Sequence, residues 1–327
     1  MTFRLQHGKA IKPLVCVLGG TGFVGQHLIA ELVDQGYRVR VATRRRERHR
    51  ELLVLPQAEV VQTDIHNTAS LRQLLSGCQA VINLVAILNE RRRGDFETVH
   101  VKLARNIVHS CEELGITRLL HMSALNADAQ HGKSHYLRSK GQGETLVHAA
   151  DKVQVTSFRP SIIFGPGDHF FRRFATLLRL SPGVLPLACP QARFAPVYVG
   201  DVVGAMTAAL ADPATSGARY ELCGPRSYTL HELVEYTARI TRTRRLVVGL
   251  GPALSRLQAA VMGHLPGKAF TYDNYLSLQV DSVCSGAFPR IFDLQPQALE
   301  AIVPLYLAHG ALRSRYDEFR RQARHHY

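Results

Sequence analysis

An α/β architecture is predicted, a doubly wound parallel sheet with a smaller C-terminal lobe, and three observations predict it. Apolar runs alternate with amphipathic stretches through the first half of the 327-residue chain, as strands joined by crossover helices do. A glycine-spaced turn, Gly19-Gly20-Thr21-Gly22-Phe23-Val24-Gly25, follows the first apolar run directly and opens a helix. After Arg159-Pro160 the composition shifts, with Gly165-Pro166-Gly167, Pro182-Gly183, Pro186, Pro190 and Pro196 implying longer connections and shorter elements. The expected division is a core over residues 10–160 and a mainly separate lobe over residues 161–327, with some elements returning to the core.

The run Leu14-Val15-Cys16-Val17-Leu18 reads as a buried strand. Leu28, Ile29, Leu32 and Val33 recur at helical spacing, and Gly36 stops the helix. Residues 37–42 and 60–62 give the second and third strands, and a helix begins near residues 67–68. Residues 80–85 form the fourth strand. Val99, Leu103, Ile107, Cys111 and Leu114 make a helical stripe that ends at Gly115. The fifth strand covers residues 118–122, a helix residues 134–150, and the sixth strand residues 155–158. In the lobe, helices resume over residues 202–210 and 230–240; the second opens with Thr229 and Glu232 at capping-box spacing.

Composition narrows the function classes. Hydrophobic residues make up 46% of the chain, enough for a sizeable core. No apolar run reaches the roughly 18 residues a membrane-spanning helix needs. The residues before Leu14 are polar and basic, so a cytoplasmic protein is expected, peripheral at the inner face of the membrane if attached at all. The six cysteines are scattered without a C-x-x-C and are expected to be reduced. The 16 His residues form no ligand motif, so no metal site is expected. The net charge of +14 attracts polyanions. The chain has no Trp and its arginine runs lack interleaved aromatics, which favours dinucleotide phosphates or an anionic membrane face over nucleic acid.

The glycine turn is a phosphate cradle of the Rossmann type. Gly19 allows the tight turn, Gly22 lets a pyrophosphate approach the backbone, and Gly25 lets helix and strand pack closely, while the helix N-terminus offers N–H groups to the anion. Arg44, Arg45 and Arg46 follow the second strand, where a dinucleotide presents its adenosine ribose. An acid there selects NAD(H), and arginines pair with a 2′-phosphate, so NADP(H) is the expected cofactor and NAD(H) the second choice. Asp64 either meets the adenine amino group or caps the next turn. The expected dinucleotide contacts are completed at the ends of strands by Ile65, by Leu84, Val85 and Ala86, and by Pro160 and Ile162. Tyr136 and Lys140 form Y-x-x-x-K on one helix face. The ammonium is expected to lower the phenol pKa and fit Tyr136 for acid/base work, with Lys140 also holding the nicotinamide ribose. Ser123, ending the fifth strand, is expected to orient a substrate oxygen. The alternative is that Tyr136 only packs on the cofactor.

This order of motifs resembles the short-chain dehydrogenase/reductase superfamily, in its extended, epimerase-like branch. Residues 81–88, 136–144, 158–168, 196–202 and 272–275 further resemble an atypical subgroup, which contains the dinucleotide-binding accessory subunit of respiratory complex I and its bacterial relatives. The resemblance implies tightly bound NADPH in a structural or assembly role, or a link to ubiquinone metabolism, with a respiratory or quinone-biosynthesis complex as partner. Two alternatives stand behind it: first a working NADPH-dependent oxidoreductase or epimerase using Tyr136, Lys140 and Ser123, then a redox-sensing binding module. His100 stands where extended enzymes carry an Asn that supports the proton network; it either substitutes for that Asn or is a partly buried helix residue.

Ala253, Leu254, Leu257, Ala260, Val261 and Leu265 make an apolar helical stripe in the lobe, preceded by Arg242, Arg244 and Arg245. Arg320, Arg321 and Arg324 lie in the basic stretch of residues 313–327. The stripe is either lobe core or an interfacial helix that contacts an anionic membrane.

Overall fold

The strand that feeds the glycine turn lies inside a seven-stranded sheet in the computed structural model, which describes residues 12–264 and 270–308. The chain runs β1 (Lys12–Leu18), α1 (Phe23–Asp34), β2 (Tyr37–Thr43), α2 (Arg50–Leu53), β3 (Ala58–Gln62), α3 (Thr68–Leu75), β4 (Ala80–Asn83), α4 (Leu103–Leu114), β5 (Arg118–Met122), α5 (His135–His148) and β6 (Gln154–Pro160). It continues through β7 (Ile163–Phe164), α6 (Phe170–Leu180), β8 (Val184–Leu187), β9 (Arg193–Phe194), β10 (Val197–Tyr198), α7 (Val199–Ala211), β11 (Arg219–Leu222), β12 (Tyr228–Thr229), α8 (Leu230–Ile240), β13 (Leu246–Gly249), α9 (Pro252–His264), α10 (Tyr272–Ser277) and α11 (Leu299–Leu307).

The sheet order is β11-β6-β5-β4-β1-β2-β3, and β1 through β6 pair in parallel. The order reverses between β1 and β4, which is where such a sheet opens a crevice at its strand C-termini. Register puts Leu18 beside Asn83, so Gly19 and Leu84 leave the sheet side by side. β1 is apolar from Leu14 to Leu18, and Val15, Cys16, Val17 and Leu18 have no exposed surface, as a central parallel strand requires. α1 buries Leu28, Ile29 and Leu32, and the chain turns at Gly36 with φ 88°. α8 starts on the capping box of Thr229 and Glu232. The helical stripe that ends at Gly115 departs from expectation in its first turn. Glu97–Lys102 is π-wound before α4 begins, and His100 within it is 3% exposed.

Two compact units are present. The first comprises the described chain up to Ser123, with Ser139–Phe158 and Ala205–Tyr220; the second comprises Ala124–Arg138, Arg159–Gly204 and the described chain from Glu221 on. Cys16, Leu18, Leu71, Leu75, Leu103 and Ile107 centre the core of the first. Phe164, Phe171, Leu185, Phe194, Leu233 and Val303 centre that of the second.

One expectation is overturned. Cys223 and Cys284 form a disulfide, while Cys16, Cys78, Cys111 and Cys189 are free thiols. The pair meets because the segment after Asp281 runs beside β9 and the end of β11: Ser282 N–H donates to the Arg193 carbonyl at 2.8 Å, and Ser285 N–H to the Glu221 carboxylate at 2.8 Å. A separation of 61 residues carries no spacing signal. Leu265 and the basic stretch of residues 313–327 lie outside the described residues.

Candidate functional site

The glycine turn is built as an anion cradle. Gly22 N–H closes it on the Gly19 carbonyl at 3.0 Å. Gly19 sits at φ +79°, and a Cβ there would come within 3.0 Å of the Leu84 backbone. A Cβ on Gly25 would lie 2.5 Å from the Gly20 Cα, so only glycine lets α1 start this close to β1. Gly22, the N-cap of α1, supplies no side-chain cap, and the first turn carries no acid. The first N–H groups of α1 therefore point at a position with no carboxylate to compete for it, which fits the diphosphate of a dinucleotide. Gly20 is buried, and Thr21, Phe23 and Val24 are half-buried around the turn.

On the adenosine side, Arg44 and Arg45 are exposed directly after β2, with Arg45 N–H held by Thr43 Oγ1 at 3.2 Å. The first acid after β2 is Glu47, in the 3₁₀ turn Arg46–Arg48. Asp64 Oδ1 accepts from His66 N–H at 3.0 Å, and Ile65 packs on the core of the first unit. Past β4, Leu84 and Val85 are half-buried and Ala86 is exposed. Asn83 fixes that strand end: its Oδ1 accepts from Val85 N–H at 3.1 Å, and its Nδ2 donates to His121 Nδ1 at 3.2 Å.

Behind this edge lies a buried polar network of the first unit. Ser123 Oγ donates to Glu144 Oε2 at 2.5 Å, and Arg219 Nε meets Glu144 Oε1 at 3.0 Å. Lys140 is 2% exposed and donates from Nζ to the Met122 carbonyl at 2.6 Å. Burial pushes the Lys140 ammonium down to about 8, against an upward pull from Glu144. Both ring nitrogens of His100 are engaged. Nε2 accepts from Ile87 N–H at 3.1 Å, so Nδ1 carries the proton that meets Ser139 Oγ at 2.8 Å. Burial, then the Lys140 charge, pushes His100 down to about 3, so it is neutral throughout the physiological range. His100 thus ties the segment after β4 to α5. Gly143 permits the approach, because a Cβ there would collide with the His100 carbonyl.

Tyr136 lies one helical turn before Lys140 on α5. Asp273, in the 272–275 segment, accepts from His135 N–H at 2.7 Å and Tyr136 N–H at 3.1 Å, capping that turn. Burial pushes the Tyr136 phenol up to about 12, opposite to the lowering expected from the Lys140 spacing, because desolvation disfavours the phenolate. Pro160 and Ile162 belong to the second unit, where Ile162 packs on its core. Glu144, Arg219, Gly143 and Asp273 are absent from the sequence-derived site. Only Glu144 carries a local signal, standing four residues after Lys140 on the same face.

Fold and cradle together define an extended short-chain dehydrogenase/reductase, a class that binds nicotinamide dinucleotides. The pattern of the NAD dependent epimerase/dehydratase family matches residues 15–223, and the chain belongs to that family. It is 30% identical to NADH dehydrogenase [ubiquinone] 1 alpha subcomplex subunit 9, mitochondrial, of Mus musculus, over 90% of this chain and 81% of that protein. It is also 30% identical to the ceramide reductase of Caulobacter vibrioides, over 75% of this chain and 73% of that one. In fold it is similar to a UDP-glucose 4-epimerase of Thermotoga maritima, with a TM-score of 0.71 at 17% identity over 92% of this chain and 99% of the other. Among the described residues no group of His, Cys, Asp and Glu is placed to hold a metal ion.

Proposed function

We propose that this protein holds NADP(H) as a lasting part of its structure and serves a respiratory or quinone-handling assembly at the membrane, in the manner of an accessory subunit. The observation that carries the reading is the internal commitment of the groups a reductase would use. Ser123 Oγ is spent on Glu144, and both nitrogens of His100 on Ile87 and Ser139. Proton delivery needs such groups turned toward reacting atoms. The mouse relative, a subunit of an NADH dehydrogenase by name, supports the partner class. Arg44 and Arg45, exposed at the end of β2 with no acid before Glu47, support NADP(H) over NAD(H).

Native mass spectrometry of the purified protein tests this reading. Dinucleotide should remain on the chain, and NADPH absorbance should stay constant with a panel of carbonyl compounds and quinones. Steady oxidation by any panel member, lost in Tyr136→Phe, would refute it in favour of a second reading.

That second reading, an NADPH-dependent reductase or epimerase, is favoured by Tyr136 and Lys140 one turn apart on α5 and by the similarity to a ceramide reductase. The dinucleotide would supply or accept the hydride. Tyr136 would pass its phenol proton to the substrate oxygen, Lys140 would hold the cofactor ribose, and Ser123 would leave Glu144 to orient the carbonyl.

A further inference from the structure

α9 is wound inside out for a helix that merely completes its own domain. Its inward positions are small: Ser255 is 1% exposed and Ala259 has no exposed surface. Its large apolar side chains, Leu254 (55% exposed), Leu257 (59%) and Val261 (56%), face solvent. A helix that packs only on its own core turns its Leu and Val inward. Among the described residues of the stripe, Ala253 to Val261 are therefore not lobe core.

The neighbouring ribbon repeats the arrangement. β8 and β13 pair in parallel, with Leu246 beside Val184 and Val248 beside Pro186. Val184, Leu246 and Val248 are exposed while Leu185, Leu187 and Val247 are buried. Gln258 Nε2 on α9 reaches the Pro186 carbonyl on β8 at 3.1 Å, so helix and ribbon adjoin. These six side chains are six of the fourteen large hydrophobic residues exposed among the described residues. That concentration is a patch and not scatter.

The elements that form the patch carry charge of one sign. Residues 169–200 and 241–264, which carry α6, β8, β13 and α9, contain eight arginines and no Asp, Glu or Lys. Arg242, Arg244 and Arg256 are exposed. A second copy of the chain would bring the same arginine-bearing elements to these and be repelled. An anionic bilayer offers the complementary partner: headgroups for the arginines and acyl chains for the leucines. No helix among the described residues is long and apolar enough to cross a membrane. At 13 residues, α9 is about 20 Å long against a hydrocarbon core of about 30 Å, so it lies in the interface plane.

We propose that this face docks the protein on an anionic lipid bilayer, with Leu254, Leu257 and Val261 entering the headgroup boundary and the arginines pairing with lipid phosphates. The proposal deepens the membrane-proximal part of the function above and is tested apart from its cofactor part.

The experiment floats the full chain with vesicles of phosphatidylcholine alone and of phosphatidylcholine mixed with phosphatidylglycerol, while NADPH binding reports on the fold of each variant. The wild type should float with the anionic vesicles only, and less so at high salt. Leu257→Glu with Val261→Glu, both at exposed positions, should reduce binding at least about tenfold and leave NADPH binding intact. Arg244→Ser and Arg256→Ser should each weaken binding about fivefold. The proposal is overturned if the wild type does not float. It is also overturned if the Glu variants float as well as the wild type, which would place the attraction in charges elsewhere on the chain. A dimer in solution that Leu257→Glu dissociates would overturn it in favour of a protein interface. Loss of NADPH binding in the wild type, with flotation intact, would strike the cofactor reading and leave the surface standing.

Discussion

Glu144→Gln removes one negative charge from the centre of the first unit, and its effect can be worked from the contacts. The side chain is 2% exposed, accepting from Ser123 at 2.5 Å and pairing with Arg219 at 3.0 Å. Gln still accepts from Ser123, but as a neutral partner, which forfeits about 1 kcal/mol. A fully buried ion pair would cost about 3–5 kcal/mol to break. Arg219 is 41% exposed and regains water, so its share falls to about 1 kcal/mol. The expected loss is about 2 kcal/mol of unfolding free energy at neutral pH, measured by guanidinium denaturation. A second signature separates this account from general disruption. Lys140 titrates at about 8 in the folded protein against 10.5 for an ordinary lysine. Between those values the unfolded chain binds the extra proton, so stability rises with pH, and the cost of the buried ammonium is fully present below them. Glu144 holds the Lys140 value up, so in the Gln variant the rise must begin at lower pH. Tyr136, raised from 10.0 to about 12, opposes the trend above pH 10, so the comparison is made below it. An unchanged stability, or a pH profile superimposable on the wild type, would refute the reasoning.

Three further outcomes are expected. Gly25→Ala puts a Cβ 2.5 Å from the Gly20 Cα and 2.6 Å from the Gly19 carbonyl. The turn must then shift at a cost of about 1–3 kcal/mol, and calorimetry should show NADPH affinity falling about tenfold or more; unchanged affinity would count against the cradle. The pair Arg44→Ser and Arg45→Ser should weaken NADPH about ten- to a hundredfold and NADH little, since only the 2′-phosphate loses its charge-assisted bonds; equal weakening would make them part of a solvated basic surface. Cys284→Ser opens a loop closed over 61 residues, worth about 4 kcal/mol by chain entropy. Its denaturation midpoint should match that of the wild type under reductant, and a midpoint equal to the oxidised wild type would show that the bridge adds no stability.

What the sequence discloses and what it hides follow from the range of the interactions. β1 is legible because its stretch from Leu14 to Leu18, buried on both faces, must be apolar at every position, and β5 because Arg118–Met122 follows the helix stop at Gly115. The start of α8 is written in two residues three apart. The site is legible where it depends on backbone geometry, as at Gly19 and Gly25, and where strand order fixes what lies at a strand end, as at Leu84. It is hidden where partners come from distant segments: Arg219 on Glu144, Asp273 on the first turn of α5, Cys284 on Cys223. The π turn at His100 is invisible because one turn of apolar spacing fits both windings. For α9 the periodicity reveals a stripe but not its direction, since the same spacing serves a face turned inward or outward.

Lys140 marks the one incomplete point in the network. Ser123, Glu144 and Arg219 satisfy one another, and His100 is saturated at both nitrogens. Lys140 has three donors, yet only the Met122 carbonyl accepts from it among the described residues. Its depressed titration is the measure of that deficit: a buried ammonium whose desolvation is not repaid by acceptors. Ribose hydroxyls and a dinucleotide's negative charge are the kind of partner that would complete it, and the expected place of Lys140 beside the nicotinamide ribose puts them within its reach. A protein whose buried charge is fully paired only with its cofactor present gains stability by keeping that cofactor, through the linkage that couples binding to folding. The proposed retention would then rest on the same buried lysine that a turnover enzyme would use to cycle its dinucleotide. What separates the two roles is whether Ser123 ever leaves Glu144.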